Sequence, residues 1–139
     1  MTTDKDSYCL NPTSFPAPDQ QADPGETSSD ETDKIGKIRE LNDRLRKCGH
    51  GGMWLATVGI SSLPADDMRA VYEAVIGFAN FTPDNDPHGE HDCASQTVGH
   101  LKIIWKIDYY DRARQFLSPD PSDPKVTVRV LTVMLASEY

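Results

Sequence analysis

The strongest constraint in this chain is a ten-residue stretch, LKIIWKIDYY, running from Leu101 to Tyr110. Leu101, Ile103, Trp105, Ile107 and Tyr109 alternate with more polar neighbours, the period-two pattern of a strand with one buried face. ASQTV precedes it, and Gly99-His100 lies between, compatible with a two-residue II′ turn with Gly first. Such a turn determines the register: Val98 pairs with Leu101, Ala94 with Trp105, Cys93 with Lys106, and His91 falls opposite Asp108. Directly opposed residues share a face of an antiparallel pair. Ala94 and Val98 therefore join the apolar set, while His91, Cys93, Lys106 and Asp108 meet on the other face. The pairing predicts that the imidazole of His91 lies within reach of Asp108, which would orient the ring.

Around this hairpin the rest of the domain falls into place. Ile35, Ile38, Leu41 with Asn42, Leu45 and Cys48 recur at helical spacing, and Thr32 or Asp33 is a candidate cap for that helix. Glu40–Arg44 and Asp43–Lys47 are i,i+4 pairs expected on its exposed side. Gly49 is the natural stop, and GHGG turns the chain into a strand over residues 53–58. A Gly-rich turn signals phosphate binding only where a strand meets a helix N-terminus. This one runs the other way, so it reads as a connection, with His50 kept as a contact candidate. A second helix opens near Pro64, with Ser62 as a candidate cap, and buries Met68, Val71, Tyr72, Val75, Ile76 and Ala79. The last segment, SDPKVTVRVLTVMLASEY, carries two patterns. Val126, Val128 and Val130 alternate, yet Asp123-Pro124 resembles a helix opening, and Thr127, Val130, Leu131, Met134 and Leu135 form a helical stripe. The stripe predicts a helix over residues 125–132. The order is then α-β-α-β-β-α, an α+β domain with helices packed on a small, mainly antiparallel sheet.

Charge bears on function through its distribution. The 139 residues carry a net charge of −8. Residues 1–33 hold eight acids against one lysine, together with four prolines and nine Ser or Thr. Ordering a residue costs about 1–2 kcal/mol of backbone entropy, which so polar a segment does not recover by burial. Residues 1–33 therefore read as a disordered acidic tail and residues 34–139 as one compact domain. Residues 34–47 are basic, with six Lys or Arg against Glu40 and Asp43, a stretch the tail would shield electrostatically. With the acidity concentrated in the tail, a mimic of a phosphate backbone is held only loosely. Three cysteines (Cys9, Cys48, Cys93) without a CxxC pair read as reduced thiols. MTTDKDSYCL lacks a signal-like apolar run, and no stretch approaches the roughly 18–20 apolar residues of a membrane span. A cytoplasmic protein is expected.

Chemistry concentrates in FTPDNDPHGEHD (residues 81–92). Asp84, Asp86, His88, Glu90, His91 and Asp92 are candidate metal ligands, a mixed His and carboxylate set suited to a divalent transition metal. An EF-hand is excluded, because His88 and Ser95 stand at ligand positions and no helix follows. The competing reading is structural and is favoured: Asp and Asn bond their own backbone in turns, and Pro83 and Pro87 stiffen them. His91 and Asp108 are the catalytic candidates if the loop is a site. Lys106 and Asp111 join His50 as contact candidates. KIIWKIDYYDRAR interleaves basic and aromatic residues as single-strand binders do, but two aspartates offset the charge and Trp105 belongs to the core. Cys93 shares a strand face with His91, yet a small structural thiol is the more ordinary role.

FTPDNDPHGEHD, WKIDYYD (residues 105–111), SPDPSDP (118–124) and VLTVMLASEY (130–139) together resemble a small alphaproteobacterial family known only as a domain of unknown function, over roughly residues 34–139. The resemblance implies a single small bacterial domain, often found among plasmid and mobile-element genes, and brings no catalytic residues with it. The reading that follows is a non-catalytic, macromolecule-binding or inhibitory module, of anti-defence type in one version. Its ligand is expected to be a protein, with nucleic acid weakly supported and no membrane. The alternative is a metal-dependent hydrolase built on the His/Asp loop.

Overall fold

The computed structural model describes residues 27–139. They form a four-stranded sheet with helices on one face, the α+β architecture that the patterning predicts. The first helix, α1 (Thr27–Cys48), starts ahead of the Asp33 boundary expected for the tail. Residues 1–26 of that tail lie outside the described residues. Arg46 and Lys47 occupy the last turn of α1, where cations complement the helix dipole. Gly49 then takes a left-handed φ of 76° and donates its N–H to Leu45 O at 2.9 Å, a glycine C-cap. Of the described cysteines, Cys93 is a free thiol and Cys48 is disulfide-bonded. The expectation of reduced thiols thus fails at Cys48.

β1 (Gly52–Ala56) leads into the short α2 (Val58–Ser61), a turn of helix that no sequence pattern announces. α3 (Ala65–Gly77) has Pro64 at its N-cap, rather than Ser62, with no side-chain cap. Its acids Asp66 and Asp67 fill the first turn, and Val71 and Val75 are its fully buried residues. Ala79 falls beyond the helix and is exposed.

β2 (Cys93–Val98) and β3 (Leu101–Tyr110) pair antiparallel in the predicted register, with Val98 opposite Leu101, Ala94 opposite Trp105 and Cys93 opposite Lys106. Gly99 has φ 63° while His100 stays at negative φ, in keeping with the II′ turn.

The segment expected to form the last helix is a strand from Val128 onward. β4 (Val128–Leu135) sits between β1, to which it is parallel, and β3, to which it is antiparallel, giving the order β1-β4-β3-β2. The misreading has a physical cause. A central strand covered on both sides is apolar almost continuously, so the two-residue alternation that distinguishes it from a helix is lost. Leu131 and Val133 are fully buried on the helical side, while Val130 and Met134, at 6% and 5% exposure, are covered on the other. Asp123 and Pro124 belong to a turn ahead of the strand.

The core lies between the sheet and the helices, where Leu45, Ile60, Val71 and Val75 meet Ala94, Ile103, Trp105, Ile107, Leu131 and Val133. By alternation, the opposite face carries Met53 and Leu55 of β1, Thr132 of β4, Ile104, Lys106 and Asp108 of β3, and Cys93 and Ser95 of β2. Among the described residues, Tyr139, just after the short 3-10 turn Ala136–Glu138, lines this face, and Val130 and Met134 are nearly buried on it. Among the described residues, no helix is long and apolar enough to cross a membrane.

Candidate functional site

The polar loop over residues 81–92 is built first by its own turns. Asn85 accepts from Thr82 N at 2.9 Å through its side chain and donates to Asn80 O at 2.9 Å. Asp86 N bonds Thr82 O at 2.8 Å, and Gly89, at φ 72°, reverses the chain. The buried Asp86 carboxylate then accepts the N–H of His91 at 3.2 and 3.3 Å.

Helix α1 grips this loop with three consecutive turns of polar side chains. Arg39 Nε donates to Gly89 O at 2.9 Å. Asn42 Nδ2 donates to Glu90 O at 3.0 Å and to the Tyr109 hydroxyl at 2.8 Å, and Tyr109 in turn donates to Glu90 Oε1 at 2.8 Å. Asn42 Oδ1 accepts from Arg129 Nε at 2.8 Å, and the Arg129 guanidinium also donates to Pro121 O and stands 5.2 Å over the Tyr109 ring. Arg46, almost fully buried, donates to Val75 O, Ile76 O and Phe78 O at 2.9, 3.1 and 3.0 Å and lies over Phe81 and Trp105. It therefore binds the open carbonyl end of α3, where a cation is also favoured by the dipole.

His91 is the centre of this arrangement. Its ring stacks on Phe81 with centroids 3.8 Å apart, its Nδ1 lies 2.9 Å from Asp43 Oδ1, and its Nε2 lies 3.7 Å from Asp86. Asp43 also holds Arg46 at 3.2 Å, so its partners differ from the Lys47 expected on an exposed face. The predicted pairing of His91 with Asp108 does not form. Asp92 O still accepts from Ile107 N at 2.7 Å, continuing the hairpin, but His91 adopts φ 56° and turns away from the sheet. Asp108 instead holds Lys106 at 3.0 Å.

The other candidates scatter. Asp84 and His88 are exposed, Glu90 is engaged by Tyr109, and Asp92 is half-buried towards the open sheet face. Among the described residues, no three His, Cys, Asp or Glu side chains come together as a metal would require. Asp111 caps its own turn by accepting from Gln115 N at 2.9 Å, and His50 is exposed in the glycine turn. Burial drives the phenol of Tyr109 far above its ordinary pKa; Asn42 opposes this and Glu90 adds to it. Burial likewise lowers Arg129. Asp92 is raised by burial and then by Glu90. Cys93 is raised by burial and then by Asp92, the reverse of what an activated nucleophile needs.

A cavity of about 460 Å³ opens on the exposed sheet face, lined by Asp92, Cys93, Ile104, Lys106, Asp108 and Tyr139 among others. Asn42, Asp43, Arg46 and Arg129 are the polar residues that organise the loop, and sequence patterning passes over them. Asn42 lies on the apolar stripe of α1, and Arg129 occupies the same alternation as Leu131 and Val133, the two signals that were present.

The family model for a protein of unknown function, DUF3768, matches residues 56–138. This chain belongs to the DUF3768 family. The DUF3768 segment contains the loop, the hairpin and β4, but begins at the end of β1 rather than near residue 34. Helix α1, with Asn42, Asp43 and Arg46, therefore grips a DUF3768 loop from outside the matched segment. No curated protein and no solved structure matches the chain.

Proposed function

We propose that this DUF3768 chain is a non-catalytic binding module whose ligand is a protein, met through the open face of its sheet. One observation carries the reading: the imidazole best placed for catalysis or metal ligation is spent on Asp43 and stacked against Phe81. Glu90, Asp86 and Tyr109 are likewise engaged in holding the loop to the domain. An inhibitor of a larger assembly is one form such a module takes.

The test is thermal unfolding of the metal-stripped chain with zinc, manganese, magnesium and calcium in turn, alongside hydrolysis of a simple phosphodiester. No metal-specific rise in melting temperature and no turnover are expected. A rise with one metal that the exposed-site variant His88→Ala abolishes would replace this reading with the hydrolase.

A further inference from the structure

Cys48 closes α1 and is disulfide-bonded, whereas Cys93 is a free thiol. The chain holds three cysteines. Within one copy, the sulfur left for Cys48 is that of Cys9, which lies outside the described residues. Cys48 also borders a groove of about 420 Å³, lined by Lys47, Gly49, Trp54, Tyr72 and Ile76 among others. Trp54 of β1 and Tyr72 of α3 meet edge to face there, with centroids 5.7 Å apart, and the indole N–H donates to Leu45 O at 3.1 Å. Trp54, Tyr72 and Ile76 are only half-buried. They leave an apolar floor between α1, β1 and α3, on the helical side of the sheet.

We infer that Cys9 is the disulfide partner of Cys48 and that the segment around it, Tyr8-Cys9-Leu10, docks into this groove as a latch released by reduction. Reach permits it. α1 spans 22 residues, about 33 Å, and the chain from Cys9 to Thr27 extends to roughly 60 Å at most. A cystine holds its two Cα atoms about 4–7 Å apart. Tyr8 and Leu10, a step of about 3.8 Å further on, then lie within about 11 Å of Cys48, close enough for their side chains to cover the apolar floor. Charge favours the same path. Residues 1–26 hold five acids against Lys5, and a segment returning along α1 passes the exposed Lys34 and Lys37 and the half-buried Arg44. The latch closes by thiol–disulfide exchange with a small-molecule disulfide such as oxidised glutathione. One cysteine thiolate attacks that disulfide and expels a thiol; the second attacks the mixed disulfide and expels the other. The two protein thiols give up two protons and two electrons, which leave with the two small thiols. Reduction runs the same steps backward and bares the groove together with the basic stretch of α1. This surface lies across the sheet from the open face, so the latch goes beyond the binding reading and does not depend on it.

The experiment equilibrates the full chain in oxidised or reduced glutathione, blocks the remaining thiols with maleimide and maps the disulfides by non-reducing peptide mass. Acrylamide quenching of tryptophan fluorescence is read on the same samples. Trp105 is fully buried, so the quenchable indole is that of Trp54. The oxidised chain is expected to yield a Cys9–Cys48 peptide with maleimide on Cys93 alone, and to lose the Trp54 quenching that the reduced chain shows. Tyr8→Ser combined with Leu10→Ser keeps the disulfide and restores the quenching. Its melting temperature when reduced matches that of the reduced parent chain, which separates loss of docking from loss of fold. A Cys48–Cys48 bond between two copies overturns the inference, as does an oxidised chain in which Cys9 carries maleimide. So does a Cys9–Cys48 bond with Trp54 quenched as strongly as in the reduced chain, since the groove is then uncovered. Neither readout involves a metal or the open sheet face, so failure here leaves the non-catalytic reading standing, and a metal-dependent shift would sink that reading without touching the latch.

Discussion

His91 and Asp43 meet at 2.9 Å across 48 residues of chain, with the imidazole stacked on Phe81 and its backbone at φ 56°. The contact ties the polar loop to α1 and turns a candidate catalytic group into a fastening. His91→Ala removes the hydrogen bond and the stack while leaving a left-handed backbone that alanine disfavours, for a loss of about 1–3 kcal/mol. His91→Asn, which tolerates that conformation better, is expected to lose less. Urea unfolding of the two variants gives the comparison; equal stability to wild type would mean that the loop is held without His91.

Arg46 is the second fastening. Its guanidinium serves three carbonyls at the end of α3 and the Asp43 carboxylate. Arg46→Ala should cost about 3–5 kcal/mol, because several polar partners are left buried. Arg46→Lys should recover only part of that, as an ammonium does not reproduce the planar fork. A shift in denaturant midpoint as small as that of a surface substitution would contradict this role.

Two glycines should respond in opposite directions. A Cβ at Gly52 would stand 2.5 Å from Arg129 O and 2.9 Å from Leu45 Cδ2, so Gly52→Ala forces β1 off α1 and costs about 1–3 kcal/mol. A Cβ at Gly36, inside α1, meets nothing within 4 Å, and Gly36→Ala should stabilise by about 0.5–1 kcal/mol. Melting curves of the pair check both signs.

The pH dependence separates two carboxylates. Asp92 is raised above its ordinary 3.8 by burial and then Glu90. Its contribution is present below that value and lost as pH rises through the raised native one. Asp92→Asn should therefore raise the melting temperature at neutral pH, with the gain vanishing in acid. Glu138 is lowered from 4.5, first by the Thr57 hydroxyl at 2.6 Å and then by Leu135 N–H. Its contribution is present above 4.5 and lost as pH falls through the lower native value. Glu138→Gln should cost stability at neutral pH and nothing in strong acid. Parallel pH profiles for the two variants would refute the assignment.

The sequence by itself determined the hairpin, down to the pairing of Cys93 with Lys106, because alternation and a Gly-first turn are local and unambiguous. It also determined the apolar stripes of α1 and α3 and the α+β class. Only the tertiary structure decided three things. β4 is a strand because it pairs with both β1 and β3, and its nearly continuous burial erases the period that separates strand from helix. Asn42, Asp43 and Arg46 face inward because the loop and the end of α3 bring carbonyls and a histidine to them across 29 to 48 residues. His91 leaves the hairpin because a left-handed residue breaks the register just where Asp108 would have met it. Polarity in a sequence says that a side chain needs a partner; whether that partner is water or another part of the chain is settled by packing.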